Sequence, residues 1–191
     1  RKVLARKEFD ESLAALRELP GIIQSILNER SGFIHRVAHN YAKIKNWLYL
    51  GRGIYYPVAL ESALKMKEVA YVHAEGMSGG FLKHGTLAMI DNEVNSIVFV
   101  PPCEDKELYE ATLRSVEEIR ARSGFVFGVH FDEKGRNKGL FNEELILPNV
   151  SPLVAPLIQL VIGQLFAYFT AISLKRNIDK PRSLAKSVTV G

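Results

Sequence analysis

The sequence predicts an α/β fold in which an open parallel sheet is flanked by helices on both faces and preceded by a helical N-terminal extension. Two observations support this prediction. Short apolar runs, typical of buried strands, alternate with segments of helical periodicity. The hydrophobic content of 47% over 191 residues is also enough to bury a sizeable core. We divide the chain into a helical extension (1–45), a sheet domain (46–176) and a C-terminal tail (177–191).

The N-terminal extension is predicted to form two helices. The first begins near Phe9 with Asp10 as its N-cap, and leucines and isoleucines follow at helical spacing. Pro20 is expected to break or kink this helix, because proline lacks an amide hydrogen and its ring clashes with the preceding turn. A second helix is expected over residues 32–44.

The sheet domain is predicted from the alternation of its segments. Strands are expected at residues 47–50, 95–100, 125–130 and 144–147, and helices at 57–72 and 105–122. The glycines at positions 76, 79 and 80 are assigned to a loop. This order of elements is the one that produces a parallel sheet with helical layers.

A long uncharged segment, residues 145–174, raises the question of a membrane span. A spanning helix needs about 20 consecutive apolar residues, whereas prolines and glutamines interrupt this segment repeatedly. A helix that is apolar on nearly every face otherwise lies in a protein core. We therefore expect burial, and no membrane partner.

Composition narrows the possible partners and cofactors. The net charge is +4, but basic and acidic residues are interleaved, which suits an anionic metabolite better than a nucleic acid. The single cysteine, Cys103, cannot form an internal disulfide, which is typical of a cytoplasmic protein. Histidines, cysteines and acids show no ligand spacing, so we expect neither a metal nor another cofactor.

The first predicted strand ends in Gly51-Arg52-Gly53, just before a helix with Pro57 in its first turn. A strand, a glycine turn and a helix in this order are the usual arrangement for binding an anion. The tripeptide alone is a weak signal, and it lacks the third glycine of a dinucleotide fingerprint.

The candidate catalytic groups begin with Glu61, Lys65 and Glu68. At about 100° per residue these three fall within an arc of roughly 60° on one helix face, so two carboxylates flank one ammonium. The spacing alone is equally typical of an exposed stripe of surface ion pairs. Farther along, His84 follows the glycine-rich stretch and supplies a group that titrates near neutral pH.

Three longer motifs make the sequence recognisable. They are YLGRGIYYPVALESALKMKEVAYVHAEG from Tyr49, LKHGTLAMID from Leu82 and PRSLAKSVTV from Pro181. Together they closely resemble the isomerase part of the glutamine–fructose-6-phosphate aminotransferases, and specifically the second of that family's two sugar-isomerase (SIS) domains. The resemblance implies an SIS-type, flavodoxin-like three-layer fold and a fructose 6-phosphate or glucosamine 6-phosphate ligand.

The resemblance also assigns roles to individual residues. Lys186 matches the lysine that forms a Schiff base with the open-chain sugar, and Glu68 matches the base that moves a proton between C1 and C2. Lys65 and Glu61 match supporting members of the same site. Ala185, next to Lys186, matches a substrate-binding position, as do Lys186 and Glu68 themselves.

His84 matches the histidine that opens the sugar ring, and in the family it reaches the site from the neighbouring subunit. The resemblance therefore implies a homodimer. It also implies a glutaminase domain and a first SIS domain in the full-length chain, the latter carrying most of the phosphate-binding side chains. One departure concerns Phe81, which stands where the family usually has a glutamate and therefore bears on the orientation of His84.

Two other functions remain open at this stage. One is an SIS-family deaminase or isomerase that acts on the same sugar phosphates without glutamine. The other is a non-catalytic module that senses sugar phosphates. The intact AKSVTV tail favours the aminotransferase over the deaminase or isomerase. A non-catalytic sensing module has no need of Lys186 or Glu68.

Overall fold

The computed structural model describes residues 5–131, 137 and 139–182. Its elements, in chain order, are α1 (Arg6–Asn40), β1 (Asn46–Gly51), α2 (Tyr56–Lys65), β2 (His73–Ser78), β3 (Val94–Phe99), α3 (Lys106–Arg120), β4 (Phe125–Phe131), β5 (Glu143–Leu147) and α4 (Ala155–Ser173). The five strands form one sheet in the order β2-β1-β3-β4-β5, and all neighbouring strands are parallel. The predicted fold class is confirmed.

The sheet separates two apolar layers of unequal size. The larger layer contains α1, α2 and α4, with buried side chains such as Ile34, Ala63 and Phe166 packed on the strand residues Trp47 and Phe127. The smaller layer contains α3, which buries Val116 and Ile119 against the other face. Because the three inner strands are covered on both sides, β1, β3 and β4 are buried along nearly their whole length instead of alternating.

The prediction of two N-terminal helices is wrong. Residues Arg6–Asn40 form one helix of 35 residues, and it begins four residues before the predicted cap at Asp10. Pro20 lies inside this helix with its ring exposed to solvent. A proline there removes one backbone hydrogen bond. The burial of Ile26, Ile34 and Val37, on the turns of α1 that follow Pro20, offsets that loss.

The prediction also missed β2. The helix expected over residues 57–72 ends earlier, because α2 passes at Lys65 into a π-helical turn, Met66–Ala70, which stops at Tyr71 in a left-handed conformation. The segment assigned to a loop then forms β2 at the edge of the sheet. Its sequence, HAEGMS, contains no β-branched residue, so it gave no strand signal.

The uncharged C-terminal segment contributes α4, which packs against α1 and α2. An 18-residue window of this 19-residue helix has a mean hydropathy of 1.6, and by length and composition alone such a helix is able to cross a membrane. Half of that stretch is buried within the described part of the fold. Its inward face lies in the larger apolar layer, as expected for the core helix of an α/β domain.

One glutamine fixes α4 on the sheet. Gln159 is fully buried, and its side-chain amide donates to Val100 O at 2.8 Å and to Val129 O at 2.9 Å. Val129 lies in β4, and Val100 directly follows β3 and donates its own amide to Val129 O at 2.9 Å. A polar residue in this apolar helix therefore sets the position of α4 along the strands.

The contact between α2 and α4 depends on a glycine. A β-carbon built on Gly163 collides with the side chain of Ser62, which is itself fully buried. The two helices approach closely only because position 163 has no side chain.

We expect Gly163→Ala to lower the free energy of unfolding by about 1–3 kcal/mol, because the added methyl group forces α2 and α4 apart. Gly32→Ala is the matched control, since a β-carbon at this helical glycine meets no atom within 4 Å. The control is expected to raise stability by about 0.4–1 kcal/mol. Denaturant unfolding of both variants tests the prediction, and equal stabilities would contradict it.

Candidate functional site

The candidate site lies on α2, and the sheet determines how that helix runs. The chain leaves the carboxyl end of β1, turns at Gly51 and crosses back to the amino end of β2. Gly76 on β2 permits a close approach, because a β-carbon there would lie 2.6 Å from Leu60 Cα and 2.7 Å from Ala59 O. The helix is therefore held tightly on the edge strand.

The structure brings the three predicted side chains of α2 and its π-helical turn together. Lys65 Nζ lies 2.6 Å from Glu68 Oε2 and 3.3 Å from Glu61 Oε1. The side chains are 28% exposed for Lys65, 17% for Glu68 and 39% for Glu61. This acid–lysine–acid cluster is thus half sheltered, with Glu68 the most protected member, and differs from a fully solvated stripe.

Glu68 lies within the π-helical turn Met66–Ala70. Such turns are rare and are found mainly at functional sites, because one extra residue per turn redirects the neighbouring side chains. The apolar residues Met66 and Ala70 of the same turn are fully buried, which holds it in place. Glu68 is therefore presented from a rigid part of the fold.

The charge of Lys65 is fixed by its neighbours. Its pKa is raised above the ordinary lysine value, chiefly by the hydrogen bond to Glu68; partial burial opposes the rise, and Glu61 adds to it. Lys65 is therefore an ammonium at neutral pH, which suits it to orient or neutralise a carboxylate and not to act as a nucleophile. The stabilisation from these pairs is fully present below the ordinary lysine pKa and is lost only as the pH rises through the raised value.

An apolar cavity of about 510 Å³ adjoins this cluster. Its walls come from α1, α4 and the segment after α4, and Lys65 and Val69 form the side nearest the cluster. The remaining lining residues are Ile23, Leu27, Val161, Gln164, Leu165, Tyr168 and Ile178. The charged groups therefore stand at the edge of a concave, largely apolar surface.

His84 lies elsewhere, on the loop that follows β2. Its side chain is exposed, and its ring centroid is 6.0 Å from that of Phe81, which is also exposed. Buried Leu82 and an ion pair of 2.9 Å between Lys83 and Glu118 attach this loop to the domain. The aromatic ring of Phe81 thus lies close to the imidazole of His84 at the surface of the loop.

Within the described part of the chain, no hydrogen bond or ion pair joins His84 to the acid–lysine–acid cluster. Glu68 comes before β2 and His84 comes after it, and this six-residue strand spans about 16 Å. The two side chains therefore lie near opposite ends of the strands, Glu68 at the amino end of β2 and His84 beyond its carboxyl end. A single chain does not bring them together.

Arg52 is a residue whose structural role the sequence did not reveal. Its guanidinium Nη2 donates to Gly79 O at 2.7 Å and to Ser115 Oγ at 2.8 Å, so it ties the loop after β2 to α3. Burial lowers the pKa of this guanidinium. The sequence feature at this position is the Gly-Arg-Gly tripeptide after a strand. It indicated an anion-binding turn and not hydrogen bonds from Arg52 to other parts of the protein.

Lys186 and Ala185 lie outside the described residues. The chain leading to them is followed as far as Arg182, whose backbone amide donates to Tyr71 Oη at 2.7 Å. The guanidinium of Arg182 also stacks on the Tyr71 ring, with Cζ 4.3 Å from its centroid. Tyr71 directly follows the π-helical turn that carries Glu68, so the C-terminal segment is anchored beside the cluster.

Residues 40–124 match the SIS domain family. This match covers somewhat less than half of the chain. A search for metal ligands found no group of three or more histidines, cysteines and acids suited to an ion among the residues for which the structure gives positions.

Two curated relatives extend the match to nearly the whole chain. The isomerizing glutamine–fructose-6-phosphate aminotransferase of Methanosarcina acetivorans is 43% identical over 175 residues, which are 92% of this chain and 28% of the relative. The enzyme of the same name from Thermus thermophilus is 39% identical over 190 residues, 100% of this chain and 31% of the relative. The chain therefore spans less than a third of the relatives it matches.

A solved structure agrees with the sequence relatives. The C-terminal domain of glucosamine-fructose-6-phosphate aminotransferase from Francisella tularensis superimposes with a TM-score of 0.84 at 29% identity. The match covers 93% of this chain and 49% of that one. The resemblance to the aminotransferase family that the motifs indicated is thus confirmed.

We expect Glu68→Gln to lower the pKa of Lys65, because it removes the carboxylate that makes the shorter hydrogen bond. Glu61→Gln is the matched variant and is expected to lower that pKa less, since its oxygen lies 3.3 Å away instead of 2.6 Å. Titration of the Lys65 side chain by NMR in alkaline solution measures both. A larger fall in the Glu61 variant would show that the arrangement of the cluster is different.

Proposed function

We propose that the chain is the isomerase portion of an enzyme that converts fructose 6-phosphate and glutamine to glucosamine 6-phosphate and glutamate. The relatives that carry this name match nearly the entire chain at 39–43% identity. The observation that carries the proposal is the half-sheltered acid–lysine–acid cluster at the edge of a cavity. An ion-pair stripe with only a surface role has no need of the π-helical turn or the concavity.

The reaction requires an electron sink at C2 of the open-chain sugar. In our proposal the neutral amine of Lys186 attacks the C2 carbonyl, water leaves, and an imine forms. Four residues of extended chain reach about 14 Å at most. The anchoring of Arg182 on Tyr71, beside the π-helical turn, supports an approach of Lys186 to Glu68 over that distance.

Glu68 then moves a proton. Its carboxylate takes a proton from C1 and returns it to C2, so that C1 becomes the aldehyde carbon and C2 retains nitrogen. Before this proton transfer, ammonia released from glutamine adds to C2 of the lysine imine and the amine of Lys186 leaves, so the new imine nitrogen becomes the amino group of the product. Lys65 holds the carboxylate in position and stabilises negative charge on the sugar oxygens, and Glu61 orients Lys65. Ala185 completes the contact with the substrate.

His84 is proposed to open the sugar ring from the partner subunit. Its separation from Glu68 by the length of β2 supports this division, since a ring-opening group must reach the same sugar as the proton-transfer base. The catalytic unit is then a homodimer, in which each site combines one chain's Glu68 with the other chain's His84.

The complete polypeptide is proposed to include a glutaminase domain and a first SIS domain. The short coverage of the relatives, 28% and 31% of their length, leaves room for both. We further propose that the enzyme is cytoplasmic and works without a metal or other cofactor, because imine formation and proton transfer need only side chains.

We expect Glu68→Gln and Lys186→Arg, each in the complete polypeptide, to reduce turnover of fructose 6-phosphate at least about 100-fold. Borohydride reduction in the presence of the sugar, followed by peptide mapping, is expected to label Lys186. Lys180→Arg and Glu75→Gln are the matched controls, since both residues are exposed and neither makes an ion pair in the described structure. Label on another lysine would refute the assignment of Lys186.

We also expect two inactive variants to complement each other. A mixed dimer of His84→Ala and Glu68→Gln chains contains one site with both residues intact if His84 acts across the interface. Random mixing at equal amounts should then recover about a quarter of the wild-type turnover. If each site used its own chain's His84, every mixed dimer would be inactive, and recovery would stay at the level of the separate variants.

A further inference from the structure

A second cavity lies where β1 and β2 begin, and its lining residue Tyr71 directly follows the π-helical turn that carries Glu68. Its volume is about 570 Å³, and it shares no lining residue with the apolar cavity beside Lys65. The walls are the segment before β1, the segment before β2 and the end of α4, which contribute Ala42, Lys43, Ile44, Lys45, Tyr71, Val72, His73, Leu174 and Arg176. We call it the basic cavity.

Lysine and arginine side chains converge on this cavity from two separate segments. Lys43 and Lys45 come from the connection between α1 and β1, and Arg176 from the residues after α4. Arg176 lies with Cζ 5.4 Å from the centroid of the Tyr71 ring, and Arg182 lies with Cζ 4.3 Å from the same centroid. The two guanidinium carbons are therefore less than about 10 Å apart, and both lie near the Tyr71 ring, which lines the cavity.

Among the described residues, the lysines and arginines at this cavity form no ion pair with an acid. No aspartate or glutamate lines the basic cavity. In the part of the chain with assigned positions, none of the side chains of Lys43, Lys45, Arg176 and Arg182 forms an ion pair within 4.0 Å. Asp179 lies three residues from both Arg176 and Arg182 and forms no such pair in the described structure, whereas Glu68, three residues before Tyr71, is paired with Lys65. The positive potential is therefore not neutralised from within.

A concave surface lined by one sign of charge concentrates ions of the opposite sign. Arginine is suited to phosphate because its planar fork donates two parallel hydrogen bonds, and lysine adds a mobile point charge. The volume falls within the range of small-molecule sites, and Ala42, Ile44, Val72 and Leu174 supply an apolar floor. A phosphate with an apolar or ring-containing portion matches these features.

We propose that the basic cavity binds a phosphorylated small molecule, separately from the isomerase site. The charges lie at the amino ends of β1 and β2, whereas ligands of open α/β sheets usually bind at the carboxyl ends. Glu68 also precedes β2, so the distinction from the isomerase site rests on the separate lining residues of the two cavities. The site is thus additional to the one expected from the fold. It does not depend on the roles assigned to Lys186 or Glu68.

The test is calorimetric titration of the complete polypeptide with inorganic pyrophosphate at an ionic strength of about 0.15 M. Lys43→Glu/Lys45→Glu is expected to weaken binding about tenfold or more, because two attractions become repulsions. Arg176→Gln, which removes one guanidinium without reversing charge, is expected to weaken it to a smaller degree. Lysines 43 and 45 and Arg176 are exposed, so these variants are expected to fold.

The matched control is Arg17→Glu/Arg30→Glu, which changes the net charge equally at two exposed positions on α1 that line neither cavity. It is expected to leave pyrophosphate affinity within about twofold. Equal weakening in both double variants would reveal general attraction to a basic protein and overturn the proposal. Absence of binding to the unmodified protein up to about 10 mM pyrophosphate would also overturn it.

Glu68→Gln provides the means to separate this proposal from the proposed function. Pyrophosphate binding that persists in that variant and is lost in Lys43→Glu/Lys45→Glu locates the ligand in the basic cavity. Binding that is lost in Glu68→Gln and unaffected by Lys43→Glu/Lys45→Glu locates it in the isomerase site and overturns the inference.

Discussion

The parallel pairing of β1 with β2 is the constraint on which the candidate site depends. Two parallel neighbours cannot be joined by a tight turn, so the chain must cross the whole height of the sheet between them. The crossing segment is α2 and its π-helical turn, and it carries Glu61, Lys65 and Glu68 in succession. The next pass of the chain, along β2, places His84 at the other edge. A single topological requirement therefore both assembles the carboxylates and separates them from the histidine.

The close packing of α2 makes this arrangement rigid. Gly76 allows the helix to approach β2, and Gly163 allows it to approach α4. Gln159, in turn, fixes α4 to the carbonyls of Val100 and Val129. A charged cluster on a loosely held helix would lose much of its geometry to thermal motion, whereas here two glycines and one buried amide restrict the backbone below it. The stability of the core and the precision of the site thus share the same contacts.

The two cavities differ in whether acidic side chains accompany the basic ones. Beside the apolar cavity, one ammonium is balanced by two carboxylates, and the pKa of Lys65 is raised as a result. Around the basic cavity, lysines and arginines converge without an acid. The first arrangement holds one more carboxylate than ammonium and suits proton transfer, in which a positioned carboxylate takes up a proton. The second leaves a positive potential that only an external anion satisfies.

The sequence by itself determined the fold class, four of the five strands, the core helices and the contact among Glu61, Lys65 and Glu68, because these follow from hydrophobic periodicity and from spacing along one helix. Tertiary structure decided the rest. The single helix through Pro20 depends on burial of residues distant from the proline, and β2 depends on its pairing with β1, since HAEGMS has little strand propensity of its own. The tether from Arg52 to Gly79, the anchoring of Arg182 on Tyr71 and the basic cavity all join residues far apart in the chain. No local pattern encodes such contacts, because they exist only once the strands have brought their connecting segments to a common edge.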